Sequence, residues 1–273
     1  MKTILTILNK IFKLFGYCLI RNATLVDLQS YKTNHKEQSR ILYLIKKVRN
    51  LNLSEDLRNK CEDLILTGSA KSQDLQDIKA YILCNEKQSG FYVEFGADDG
   101  IKNSNTFLLS QLFGWKGILA EPNPDVFERC KKNRKTDVCK NDLIFNKSAV
   151  DIDFCISGQL STINEYVEND NMQTERKNNA SKIIKIKSKT LLEFLDENNA
   201  PINIDFLSID TEGSEFEILS VFDFNRYRIN VICTEHNNNL IQKEKLSKLL
   251  KNNGYSEIVF EQNSIDSFFK LTC

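Results

Sequence analysis

The sequence predicts an α/β fold: a mostly parallel sheet wound with helices on both faces, an antiparallel hairpin at one edge, and a helical N-terminal region ahead of it. Three observations carry this. From Phe91 onward, short apolar runs with strand character alternate with runs of helical spacing, which is the pattern of a parallel sheet with crossover helices. The last two apolar runs, Tyr255 to Phe260 and Ser267 to Leu271, have no helix between them and must pair as a hairpin. The first 85 residues keep helical spacing with few β-branched stretches.

Composition bounds the rest. The chain has 273 residues, 41% apolar and 27% charged, as an ordinary globular protein does. Net charge is zero, so no global field favours nucleic acid. Eight cysteines form no C-x-x-C, and several sit in apolar runs, which argues for a reducing compartment and against a zinc cluster or disulfide framework. Three prolines and ten glycines leave no linker-like stretch. The division expected is a helical N-terminal region over residues 1–85 and a ligand-binding domain over 86–273, with a polar insertion at 151–180.

Residues 1–20 carry apolar side chains at helical spacing, with Lys2, Lys10 and Lys13 in the gaps. The interior lysines break any secretory core, and the run is short of the roughly 20 apolar residues that span a bilayer. Two readings remain for this amphipathic helix: peripheral contact with the inner membrane face, or packing on protein. A cytoplasmic location is expected. Further on, Ile41, Leu42, Leu44, Ile45 and Val48 form one helical stripe, Ser54-Glu55-Asp56 opens a helix and Gly68-Ser69 breaks it.

The domain itself opens with the strand Phe91 to Phe95, then Gly96 and Gly100 around a turn, then a helix over Asn103 to Phe113. A strand over Gly117 to Ala120 ends at Glu121, before Pro122-Asn123-Pro124 and a helix to about Asn133. Leu143 to Val150 reads as the third strand, Ser188 to Asn198 as a helix capped at Ser188, and Ile204 to Ile209 as the fourth strand, ending at Asp210. A helix from about Ser214 to Val221, a fifth strand over Val231 to Thr234 and a helix from Ile241 to Asn252 follow. Lys182, Lys185, Lys187 and Lys189 alternate with apolar residues as the solvent face of a strand.

Ligands of such sheets sit outside the carboxyl ends of the strands. Acids stand at these ends: Glu94 with Asp98 around the first turn, Glu121, Asp210 with Glu212, and Glu235 with His236 and Asn237. In FYVEFGADDG the glycines bracket a turn where a ligand can lie against bare backbone, with Glu94 and Asp98 as acceptors. Asp98 stands where the dinucleotide fingerprint needs its middle glycine. Glu121 lies 21 residues after Gly100, where a carboxylate holds a ribose diol.

The runs FYVEFGADDGIKNSNTFLL, GWKGILAEPNPDVFERCKKNR, FLSIDTEGSEFEIL and ICTEHN, in this order and spacing, resemble the FkbM family of S-adenosylmethionine-dependent methyltransferases. The likeness covers about Ser89 to Cys273. It implies a Rossmann-like methyltransferase core, S-adenosylmethionine as cofactor, and O-methylation of a small-molecule or glycan acceptor, commonly a sugar of a surface polysaccharide, glycolipid or secondary metabolite. It places Glu94, Gly96, Asp98 and Gly100 at the methionine moiety and Glu121 at the ribose. Ser148 and Ala149 then flank the adenine, Asn103, Ser104 and Asn105 meet the carboxylate, and Asp210 borders the cofactor. Asp98-Asp99 departs from the family, where one asparagine is expected.

For the cluster Asp210, Glu212, Glu235 and His236 two chemical readings stand open. His236 takes the acceptor proton, oriented by Glu235 or Asp210, or Asp210, Glu235 and Asn237 bind Mg²⁺, which acidifies a diol. A solvated acidic rim is the bland alternative. Gln159 to Thr162 in the insertion is a lid candidate, and a surface loop would look the same. The rivals to a methyltransferase are a nucleotide-dependent oxidoreductase and a non-catalytic partner-binding protein.

Overall fold

The computed structural model describes residues 25–168, 172–261 and 264–272. The amphipathic helix expected over 1–20 lies outside them. The chain divides into two compact units, Met1–Asn52 and Leu53–Cys273. Of the first, the described part is the helix α1 (Leu25–Asn50), which contains the apolar stripe of residues 41–48 and places Lys47 and Arg49 in its last turn, where cations suit the helix dipole. The expected N-terminal region is thus divided, because residues 53–85 belong to the second unit. No described helix is long and apolar enough to cross a membrane.

The second unit begins with α2 (Glu55–Leu66) and α3 (Gln76–Leu83). Ser54 caps α2 by accepting from the Leu57 N–H at 3.3 Å, and the helix ends at Thr67-Gly68 as its sequence predicts. The chain then runs through β1 (Phe91–Phe95), α4 (Phe107–Phe113), β2 (Lys116–Ala120), α5 (Pro124–Asn133), β3 (Val138–Lys140), β4 (Leu143–Ile144), β5 (Asp151–Ile156), β6 (Thr162–Ile163), α6 (Gln173–Asn179) and β7 (Lys182–Lys189). It closes with α7 (Leu191–Glu197), β8 (Asn203–Ile209), α8 (Glu215–Ser220), β9 (Arg228–Glu235), α9 (Leu240–Asn252), β10 (Tyr255–Ile258) and β11 (Asp266–Leu271).

The main sheet has seven strands in the order β10-β11-β9-β8-β1-β2-β3. Its strands from β3 to β9 pair in parallel, and β11 runs antiparallel between β9 and β10, which is the mixed edge expected. One face of the sheet packs its alternate residues (Val93, Phe95, Ile118, Leu207, Ile209, Ile232) against Phe194, Leu195, Ile218 and Leu246 of the crossover helices. This is the Rossmann-like α/β arrangement, and it brings the carboxyl ends of β1, β2, β8 and β9 to one rim.

Three expectations are corrected. The third strand of the main sheet is Val138–Lys140, not Leu143 to Val150; only Leu143 and Ile144 of that run are a strand, and they pair with β7 in a second sheet. The helix expected at Ser188 starts at Leu191, where Thr190 accepts from the Glu193 N–H at 3.2 Å, while Ser188 is still in β7. The polar insertion is built, not a loop: β5 and β6 join β7 and β4 in the order β4-β7-β5-β6, over a small core of Leu143, Phe145, Phe154, Ile156 and Ile163. Lys182, Lys185 and Lys187 face solvent on β7, as expected, with Ile184 and Ile186 turned to that core.

Candidate functional site

The turn after β1 is held from inside. The Glu94 carboxylate accepts from the Asn105 N–H at 2.7 Å, the Thr106 hydroxyl at 2.6 Å and the Ser104 hydroxyl at 3.1 Å. Burial pushes its pKa up, opposed by Arg134, whose Nη1 lies 3.9 Å away. Arg134, fully buried at the end of α5, donates to the Gly100 carbonyl at 2.9 Å, to Ser104 at 3.1 Å, to Thr106 at 2.9 Å and to Asp137 at 2.8 Å. Glu94 is therefore engaged in shaping the turn and lines neither of the joined cavities described below. Sequence reasoning missed Arg134; its signal was a cation three residues before Asp137, in a stretch that has to pack against the turn.

Both glycines are steric requirements. Gly96 has φ +75°, and a Cβ there would fall 1.8 Å from the Asp210 carbonyl oxygen, so only glycine lets the ends of β1 and β8 close up. The Asp210 N–H donates to the Phe95 carbonyl at 3.2 Å, which sets Asp210 beside the turn. Gly100 (φ +77°) faces Arg134 and Cys130 instead: a Cβ there would fall 2.6 Å from Arg134 Cγ, and the residue lines neither cavity.

Two joined cavities open on this rim, beside a further one of about 200 Å³ lined by Gly213, Glu215, Glu235, His236 and Asn237. The first, about 70 Å³, lies between Phe95, Ala120 and Glu121 on one side and Asp142, Leu143 and Ile144 on the other. The second, about 620 Å³, extends past Lys102, Asn103, Asn179, Glu235 and Asn237. They meet at shared walls made by Gly96, Asp98, Gly158, Gln159, Asp210 and Glu212. The 3₁₀ turn Gly158–Leu160 roofs the junction: Gln159 donates to Asp98 Oδ2 at 2.9 Å and accepts from Lys102 at 3.2 Å. The first cavity is small on its own and continues into the second across these shared walls.

Glu121 is buried on the wall of the first cavity and accepts from the Asp98 N–H at 3.1 Å and the Asn123 N–H at 2.8 Å. Burial pushes its pKa up to about 8, with the Asp98 charge adding to the shift. A carboxyl group in that state gains from further donors. Asp98 borders both cavities, while Asp99 forms a turn by accepting from the Ile101 and Lys102 N–H groups at 2.9 and 2.8 Å, a task an asparagine performs equally well.

Of Asn103, Ser104 and Asn105, only Asn103 borders a cavity. The helix begins at Phe107, after the N-cap Thr106; the Ser104 hydroxyl accepts from the Phe107 N–H at 3.0 Å, and Glu94 claims the Asn105 N–H. Ser148 and Ala149 border neither cavity; the Ser148 hydroxyl receives the Thr190 N–H at 3.0 Å and the Ala149 N–H donates to the Ser188 carbonyl. The wall of the first cavity opposite Glu121 is made by Asp142, Leu143 and Ile144.

At the junction, carboxylate oxygens of Asp210, Glu212 and Glu235 come within 4.8 Å of one another. Burial raises Asp210 and Glu235 well above the ordinary carboxylate range, and the neighbouring acids add to it. Asn237 donates its amide to Glu235 at 2.8 Å and to Glu212 at 3.2 Å, and Arg176 donates to Glu212 at 2.7 Å. Asn237 thus presents N–H to the acids and not an oxygen to a cation. Three converging carboxylates suit a hard cation, but the Asn237 amide and the Arg176 guanidinium already donate to them, and an ion would compete with Arg176 for Glu212.

His236 does not join this cluster. Just past the end of β9, it lines the 200 Å³ cavity together with Glu235 and Asn237, and neither ring nitrogen finds a hydrogen-bond partner among the described residues. Burial and the nearby Lys243 hold its pKa down to about 4. Among the described residues no hydrogen bond from Glu235 or Asp210 orients it as a base would need. Glu215, which the sequence reading passed over, shapes the loop by accepting from the Thr211 N–H at 2.9 Å and the Gly213 N–H at 3.1 Å.

An α/β sheet with acids at its carboxyl rim and two cavities joined there defines an enzyme that brings a nucleoside-type cofactor to a second ligand. The sequence matches the methyltransferase FkbM domain over residues 94–268, and the chain belongs to that family of S-adenosylmethionine-dependent methyltransferases. No curated protein matches it. Among solved structures it is similar to the precorrin-6y C5,15-methyltransferase of Geobacter metallireducens GS-15 (13% identity, 72% of this chain and 86% of that one, TM-score 0.41). It is also similar to a ribosomal protein L11 methylase of Lactobacillus delbrueckii subsp. bulgaricus (9%, 71% and 77%, 0.36) and to human methyltransferase 10 domain containing protein (12%, 71% and 78%, 0.38). Likeness at this level carries nothing about acceptor or site chemistry.

Proposed function

We propose that this methyltransferase methylates a hydroxyl group, on a sugar of a glycan, glycolipid or secondary metabolite. The observation that carries the reading is the meeting of the two cavities at Asp210, with the cofactor on the Glu121 side and the acceptor on the Glu235 side. Bound S-adenosylmethionine supplies an electrophilic methyl group on a sulfonium. Glu121 receives the ribose hydroxyls, Asp142 and Leu143 border the adenine, and Gly96, Asp98 and Asn103 lie along the methionine chain. The Asp210–Glu235 pair would lie beside the acceptor hydroxyl and take its proton as the C–O bond forms and the methyl C–S bond breaks, leaving S-adenosylhomocysteine. Six amide side chains line the larger cavity (Gln73, Asn103, Gln159, Asn179, Asn237 and Asn238). Each offers a donor and an acceptor, which suits neighbouring hydroxyls of a polyol.

The test compares glycan mass spectra of cells with and without the gene. The reading expects loss of one CH₂ unit per modified site from a sugar fragment; unchanged glycans, with the lost methyl found on protein or nucleic acid, would refute it. Mg²⁺ at the acid cluster is the second reading, favoured by the convergence of three carboxylates alone. Methyl transfer that survives a chelator rules it out.

A further inference from the structure

Arg176 is fully buried on α6, in an insertion of polar composition. Taking a guanidinium out of water costs several kcal/mol unless its partners are well placed, so its contacts indicate what the burial is for. Nη2 donates to Glu212 Oε2 at 2.7 Å, Nε to the Leu160 carbonyl at 3.0 Å and Nη1 to the Val167 carbonyl at 3.2 Å. Its own carbonyl accepts from Ser157 at 2.7 Å, and Thr162 donates to the Glu212 carbonyl at 2.9 Å. Leu160 ends the turn that carries Gln159 to Asp98, and Val167 follows the second 3₁₀ turn, Asn164–Tyr166. One side chain therefore fastens the roof over the cavity junction to one of the three carboxylates beneath it.

We propose that Arg176 is a positioning residue with two linked tasks: it is the resident counter-cation of the Asp210–Glu212–Glu235 cluster, and it latches the 157–167 roof over the cavity junction. The proposal rests on the junction being the reacting centre. A planar fork suits it, because three separate acceptors lie around one group and a lysine ammonium cannot reach them in that geometry. Removing the fork unlatches the roof and leaves the carboxylates open to a hard cation.

The test measures Mn²⁺ binding by electron paramagnetic resonance and S-adenosylhomocysteine binding by calorimetry on the full chain, for wild type, R176M and R176K. Wild type should bind the nucleoside ligand and no Mn²⁺ at millimolar concentration. R176M should bind Mn²⁺ and lose at least tenfold in S-adenosylhomocysteine affinity, with part of the loss restored by Mn²⁺. R176K, which keeps the charge but not the fork, should stay indifferent to Mn²⁺ and still lose affinity. If R176M does not fold, R176K decides between the roles, since wild-type ligand affinity there removes the latch. Micromolar Mn²⁺ binding by wild type overturns the counter-cation role, as does a folded R176M that takes up no Mn²⁺. A general packing role would lower stability in both variants without creating a metal site. A wild-type chain that binds no S-adenosylhomocysteine is a different failure, which sinks the cofactor assignment itself.

Discussion

A carboxyl group as enclosed as that of Glu121 keeps its proton up to about pH 8 while only two backbone N–H groups reach it. Ribose hydroxyls favour the ionised form, so binding below that pH must expel a proton. S-adenosylhomocysteine affinity should therefore tighten as pH rises from about 7 to 9, and Glu121→Gln should flatten that dependence; a parallel slope in the variant would move the proton to another group. Glu121→Ala should weaken binding by roughly 10- to 100-fold, the loss expected for hydrogen bonds to a charged group. His236 gives the second prediction at this scale. Its folded pKa, near 4, lies below the ordinary 6.5, so the unfolded chain binds the extra proton first. The neutral ring's contribution to stability is present above pH 6.5 and lost as pH falls toward 4. His236→Gln should lose less melting temperature than wild type between pH 7 and 5, and equal losses would mean the ring is not held neutral. The acids at strand ends were legible in the sequence because each follows an apolar run. Whether a carboxylate looks outward or inward was not: Glu94 resembles Glu121 locally, and only Arg134, 40 residues on, reveals that it is consumed.

At the scale of elements, the β1–β8 contact is the tightest constraint on the rim. Gly96→Ala puts a methyl group onto the Asp210 carbonyl and a side chain at positive φ, so the strand ends must part. A loss of about 2–3 kcal/mol is expected, which lowers the melting temperature by roughly 4–12 °C for a chain of this size. Unchanged melting would show that the turn tolerates what the geometry forbids. For the roof, Gln159→Ala removes the bridge from Asp98 to Lys102. It should cost about three- to tenfold in S-adenosylhomocysteine affinity, one hydrogen bond's worth, with no change in melting. These elements were unevenly readable. The strands with long apolar runs stand out, but β3 is three residues, none of them buried, and the run at 143–150 is the stronger signal. The insertion looked polar because its sheet buries one face only, over five core residues.

For the whole molecule, the order of the sheet does the positioning. Placing β1 between β2 and β8 lets one turn border both cavities, and β9 brings Glu235 alongside through its pairing with β8. The alternation of strands and helices, the closing hairpin and the family resemblance made this architecture readable from residue 91 onward. The partition of the acids into turn-shaping, cofactor and cluster roles depends on contacts between residues far apart in the chain, such as Arg176 on Glu212, and no local pattern announces these. The central claim is that the rim beside Glu121 is an S-adenosylmethionine site. Calorimetric titration of the purified chain with S-adenosylhomocysteine tests it most directly, with Glu121→Ala alongside. Saturable one-to-one binding in the micromolar range, clearly weakened in the variant, is the predicted result; no heat at high micromolar ligand, or equal affinity in both proteins, would contradict it.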